Sequence, residues 1–194
     1  MPKGKMQRIS FIRRPFLGIA FISLILMGNI ACKRQPRVEE APPEPEILLK
    51  SDLPVDDPDA LVHLTHGFYG LEEGSWRWAG PAFGLVLAEP EGAAEQGATL
   101  EADLNLSEVV LERLGPITLS ATVEGVPLEP ETFSEPGDAT YIRSIPPGVL
   151  SGEPVAIEFT TDKALPPEGG DNRELSLIVT RFALTAGATP GAGE

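Results

Sequence analysis

Leu100, Ala102, Leu104 and Leu106 alternate with Thr99, Glu101, Asp103 and Asn105, and this period of two recurs along the chain. Ile117, Leu119, Ala121 and Val123 repeat it, as do Phe83, Leu85 and Leu87, and then Val155, Ile157 and Phe159. A strand sends successive side chains to opposite faces, so each run has one apolar face and one wet face. That is the pattern of antiparallel strands buried on one side. Tyr141, Arg143 and Ile145 mark a shorter strand. Glu124-Gly125, Pro146-Pro147-Gly148 and Pro166-Pro167-Glu168-Gly169-Gly170 are the breakers between runs. Helical signal is weak and confined to residues 107–115, where Ser107 is a candidate N-cap for a turn or two. Eight or so short strands spaced by turns predict an all-β fold, an antiparallel two-sheet β-sandwich.

Residues 175–184 depart from simple alternation. Leu175, Leu177 and Val179 lie on one face, and Ile178, Phe182 and Leu184 on the other. Such a strand is either central and covered twice or carries a bulge that swaps its faces partway. The folded domain is expected over residues 61–186, about 125 residues, which is large enough for its own core without disulfides. Residues 32–60 read as a Pro-rich acidic tether, since proline and charge there leave too little apolar area to order the chain. Residues 187–194 are a flexible tail of small residues.

Residues 1–31 read as a signal peptide with a helical apolar region. Lys3, Lys5, Arg8, Arg13 and Arg14 form a basic end without acids, residues 17–30 are almost wholly apolar, and Ala31 precedes Cys32. The apolar run falls short of the roughly 20 residues of a transmembrane helix. Gly28-Asn29-Ile30-Ala31-Cys32 resembles the lipobox of a bacterial lipoprotein signal. Ala31 and Cys32 match that pattern, whereas Asn29 stands where an aliphatic residue is usual. The resemblance implies cleavage after Ala31 and lipid on Cys32, the sole cysteine of the chain. It therefore implies a membrane partner reached through that lipid, and an extracytoplasmic, envelope-anchored location on the periplasmic or surface side.

The whole chain carries net charge −14; without the leader's five cations, ten basic residues face 29 acidic ones, a net −19. Such a surface argues against nucleic acid and against a polybasic membrane contact.

Both tryptophans lie in His66-Gly67-Phe68-Tyr69-Gly70-Leu71-Glu72-Glu73-Gly74-Ser75-Trp76-Arg77-Trp78, read here as a glycine-punctuated turn entering a strand at Ser75. With Asp171-Asn172-Arg173-Glu174-Leu175-Ser176-Leu177, this stretch resembles a β-sandwich module of bacterial cell-surface proteins and of regions appended to glycosyltransferases. The family pattern more often has Gly where Ser176 stands and a hydroxyl residue where Ala79 stands. What the resemblance implies is a jelly-roll-like, carbohydrate-associated accessory domain without catalytic residues.

Between Trp76 and Trp78, Arg77 points away from both in a strand. The expected arrangement is a clasp in which Arg77 and Arg173 share the carboxylates of Glu72, Asp171 and Glu174, since the guanidinium fork accepts a carboxylate bidentately. Tyr69, Trp76 and Trp78 are the candidate ligand surface, because the apolar face of a pyranose stacks on an aromatic ring; the opposing expectation is that at least one Trp is core. His63 and His66 have no Cys or third His in the domain to complete a metal site, so no metal and no cofactor are expected. The expected function is a lipid-anchored envelope protein with a non-catalytic binding module for a glycan or an envelope protein partner. The alternatives are a structural subunit of an envelope complex and, last, a hydrolase using acidic residues.

Overall fold

The computed structural model describes residues 48–187 apart from Glu153. The leader, Cys32, the tether to residue 47 and the tail beyond residue 187 lie outside the described residues. In chain order the elements are β1 (Asp52–Pro54), α1 (Ala60–His63), β2 (Leu64–Glu72), β3 (Trp76–Leu87), α2 (Ala93–Gln96), β4 (Ala98–Leu106), α3 (Glu108–Leu114), β5 (Ile117–Val123), β6 (Val126–Pro127), β7 (Glu131–Phe133), β8 (Gly137–Ile145), β9 (Val155–Thr161) and β10 (Leu177–Ala186).

The fold is an all-β antiparallel sheet of ten strands with the main order β6-β5-β9-β3-β10-β4-β8. Its pivot is β3. β2 pairs along the length of β3, from Leu64 opposite Leu85 to Glu72 opposite Trp76. The other edge of β3 is shared: β10 takes residues 77–79 and β9 takes residues 82–87. The sheet therefore divides along that edge into a branch through β9 and β5 and a branch through β10, β4 and β8. It curls so that the branches meet across a common core. Phe159 of β9 stacks on Phe83 of β3 at 5.0 Å between centroids, and lies 5.6 Å from Phe182 of β10 and 6.1 Å from Tyr141 of β8.

The alternating runs behave as their period requires. Along β4, residues 98, 100, 102, 104 and 106 are buried and those between them half-buried, and β5 follows the same rule. β10 contains a bulge: its register against β4 shifts between Val179 and Arg181. The shift turns Phe182 and Leu184 to the core side that Leu177 and Val179 already occupy, and all four are buried. Of the two readings the sequence left open, the bulge is the one present, and its physical cause is one unpaired residue, Thr180, whose carbonyl accepts from the Val55 N–H at 2.9 Å.

Two expectations need correction. Order begins before residue 61. β1 pairs with β10, placing Leu53 opposite Phe182, and both Leu53 and Val55 are fully buried. Arg181 ties Asp52 at 2.7 Å, and Lys50 ties Asp57 at the same distance. Those prolines and acids suit a linker, yet alternate residues between them complete the core. Second, the stretch read as a turn is mostly strand β2. Its register shifts between Leu64 and His66, between His66 and Phe68, and between Phe68 and Leu71, so bulges erase the alternation. At Gly67, with φ +78°, a Cβ would lie 2.0 Å from the Ala82 carbonyl oxygen, so only glycine lets β2 cross β3 this closely. The actual turn is the three-residue loop 73–75 between the paired Glu72 and Trp76; Glu73 and Gly74 have positive φ, and the Ser75 N–H donates to the Glu72 carbonyl at 3.1 Å.

Candidate functional site

The hairpin of β2 and β3 and the segment entering β10 form one seam. Leu177 sits opposite Ala79 and Val179 opposite Arg77. Just before that pairing, the buried Ser176 hydroxyl lies 3.0 Å from the Ala79 carbonyl oxygen and 2.8 Å from that of Gly80. A glycine there would leave these carbonyls without that donor. The Tyr69 hydroxyl, reaching across from β2, donates to the Glu174 carbonyl at 3.1 Å and accepts from the Glu174 N–H at 2.9 Å. Glu174 therefore joins the seam through its backbone.

Arg173 is the hub of the charged network. Its Nε and Nη2 engage Asp171 at 2.8–3.1 Å, and Nη1 reaches Glu72 at 2.6 Å. Its guanidinium carbon lies 5.5 Å from the centroid of the Tyr69 ring, within cation–π range. The Arg173 hydrogen bonds hold the Asp171 carboxyl below the usual carboxylate range, and Asp171, then Glu72, raise the guanidinium pKa. This network ties the end of β2 to the approach of β10.

Arg77 takes no part in it, contrary to the expected clasp. Glu72 is the cross-strand partner of Trp76 and shares its face, whereas Arg77 is one residue on and faces inward with Ala79 and Val179. Arg77 is 8% exposed, and its guanidinium donates to two backbone carbonyls, Val55 at 3.0 Å and Tyr69 at 3.2 Å. No carboxylate among the described residues pairs with it.

The tryptophans occupy the other face of β3, edge to face, with centroids 6.1 Å apart and planes at 84°. Both are half-buried, but their surroundings differ. Trp78 packs against the cluster of Val110, Ile117 and Leu165 beside α3. Trp76 borders an open depression of about 340 Å³ with Asn105, Asp138, Ile178 and Thr180. The Asn105 amide donates to the Asp138 carboxylate at 2.8 Å, and the Thr180 hydroxyl donates to the Asp103 carbonyl at 3.2 Å. Tyr69 does not join this surface. It lines a separate depression of about 270 Å³ with Arg77, Leu61, Leu64, Phe68 and His66.

The histidines diverge. Nδ1 of the buried His63 lies 2.8 Å from the Val86 carbonyl oxygen, while the His66 ring meets Glu158 at 3.2 Å. Among the described residues no group of three or more His, Cys, Asp or Glu is arranged to hold a metal ion.

Asn105, Asp138 and Thr180 escaped the sequence reading. They come from β4, β8 and β10, and only the registers of Asn105 with Asp138 and with Ile178 bring them beside Trp76. No protein-family model matches the chain, and no curated protein matches it significantly.

Proposed function

We infer that the chain is a lipid-anchored extracytoplasmic envelope protein whose domain, a jelly-roll-like two-sheet β-sandwich, serves as a non-catalytic glycan-binding module. The leader ending at Ala31-Cys32 supports the anchor. A single acyl chain binds a membrane only marginally, so stable attachment rests on the several chains of a mature lipoprotein terminus. The observation that carries the binding reading is Trp76, whose half-buried ring borders a depression together with an amide, a carboxylate and a hydroxyl side chain. A sugar asks for that combination, with a flat apolar surface for its ring face and donors and acceptors at the rim for its hydroxyls.

The test is retention on immobilised envelope polysaccharides. Wild-type protein and Asp171→Asn are expected to bind, and Trp76→Ala to lose binding while still unfolding in one cooperative transition, at a somewhat lower midpoint for the lost contact with Trp78. Equal retention of wild type and Trp76→Ala, or no retention on any polysaccharide, removes the sugar reading. A structural role in an envelope complex is favoured by a different feature. β8 ends the sheet path and carries the exposed Ile142, an edge that another chain's strand can extend. One stoichiometric protein partner in crosslinking, lost when Ile142 is changed to Lys, selects that role.

A further inference from the structure

We propose that the depression floored by Arg77 binds a small apolar carboxylate. It lies on the opposite face of β3 from Trp76 and does not depend on the glycan reading. Arg77 is 8% exposed, and its only partners among the described residues are the neutral carbonyls of Val55 and Tyr69. Removing a guanidinium from water without a counter-charge is costly, and buried charges are ordinarily paired. The lack of a counter-ion among the described residues is informative in so acidic a chain. Glu72 and Asp171, near in the fold, are both committed to Arg173.

Nε and Nη1 serve the two carbonyls, Nη2 has no partner among the described residues, and Arg77 borders the depression, so the remaining donor is available to a bound anion. The other walls set the rest of the ligand. Leu61, Leu64 and Phe68 are apolar, and Leu61, 74% exposed, stands at the mouth. Thr65, His66, Tyr69 and Gly70 complete the lining, and no Asp or Glu belongs to it. His66 is engaged by Glu158 at 3.2 Å, which leaves Arg77 as the uncompensated cation. A space of about 270 Å³ corresponds to the liquid volume of roughly nine waters, room for a carboxylate on a short aliphatic or single-ring body. Guanidinium matches the two oxygens of a carboxylate geometrically, and the leucines and Phe68 take the remainder. Such a group is carried by a free organic acid or by the C-terminal residue of a peptide.

The experiment is calorimetric titration of the full chain with hexanoate, N-acetyl-leucine, hexanol and inorganic phosphate. Hexanoate, N-acetyl-leucine or both are expected to bind, with hexanol and phosphate weaker by roughly tenfold or more. Preference for hexanoate identifies a free acid, and preference for N-acetyl-leucine a chain terminus. Arg77→Met is expected to abolish the difference between hexanoate and hexanol. Because that variant also strands two carbonyls, Leu61→Asp at the exposed mouth serves as the second probe. It folds like wild type and weakens hexanoate by roughly tenfold through like-charge repulsion, leaving hexanol unchanged. Equal binding of hexanoate and hexanol, tighter binding of phosphate, undiminished hexanoate affinity in Leu61→Asp, or no carboxylate binding up to roughly 10 mM would each overturn the proposal.

Discussion

Leu53→Ala tests whether the Pro- and Asp-rich segment before residue 61 belongs to the domain. Leu53 is 0% exposed, lies in β1 opposite Phe182 and belongs to the main core cluster. Truncating a fully buried leucine costs about 2–5 kcal/mol, the lost transfer energy plus that of the cavity left behind. The pairing of β1 with β10 on one side, and the Arg77 and Arg181 contacts around it, limit how far the site can collapse, so the upper half of that range is expected. Against a typical domain stability of about 5–15 kcal/mol this is a large fraction. Urea unfolding followed by tryptophan emission is the assay, since Trp76 and Trp78 both sit on β3. With a slope of about 1–3 kcal/mol per molar, the midpoint falls by more than about 1 M. The control is Leu48→Ala, where Leu48 is 77% exposed and a change within about 0.5 kcal/mol is expected. If Leu53→Ala and Leu48→Ala unfold together, residues 52–60 are tether after all and the core assignment of Leu53 is wrong.

Other outcomes follow from the seam and the core. A double-mutant cycle on Glu72 and Arg173 should show coupling of about 0.5–1 kcal/mol, as befits a networked but partly exposed pair, and the same cycle on Arg77 and Asp171 should show none. Asp171 has its pKa lowered by Arg173, so its contribution to stability is present above the ordinary carboxylate range and is lost as pH falls through its folded value; Asp171→Asn should flatten the acid limb of a stability–pH curve. Burial pushes the Tyr141 phenol from 10.0 up to about 12, with its hydroxyl donating to the Glu129 carbonyl at 2.9 Å. That stabilisation is complete below pH 10 and is lost as pH rises toward 12, on the order of 2–3 kcal/mol, and Tyr141→Phe should remove this alkaline limb in a pH series of unfolding midpoints.

Regular alternation made β4, β5 and β9 legible in the sequence, because each buries one face and nothing interrupts its register. β2 was not legible, since three register shifts broke its period and Gly67 there marks a close crossing rather than a turn. β1 is three residues long, too short for a period, and its proline and aspartates carry the composition of a linker. The meeting of the Trp-Arg-Trp stretch with residues 171–177 followed from complementary charges, but their assignment did not. Strand alternation places Arg77 on one face and Glu72 on the other, and only the pairing of Glu72 with Trp76 reveals which. The companions of Trp76 were invisible for a similar reason: Asn105, Asp138 and Thr180 become neighbours only through the register of three strands.

The most direct measurement is the emission of Trp76 alone, in full-length Trp78→Phe protein, during titration with the envelope polysaccharide that best retains the wild type. A ligand stacking on the ring takes it out of water, so a saturable blue shift is expected, with unchanged emission when hexanoate fills the Arg77 depression on the other face. Emission that stays constant while the polysaccharide binds would place the sugar elsewhere and remove Trp76 from its platform role.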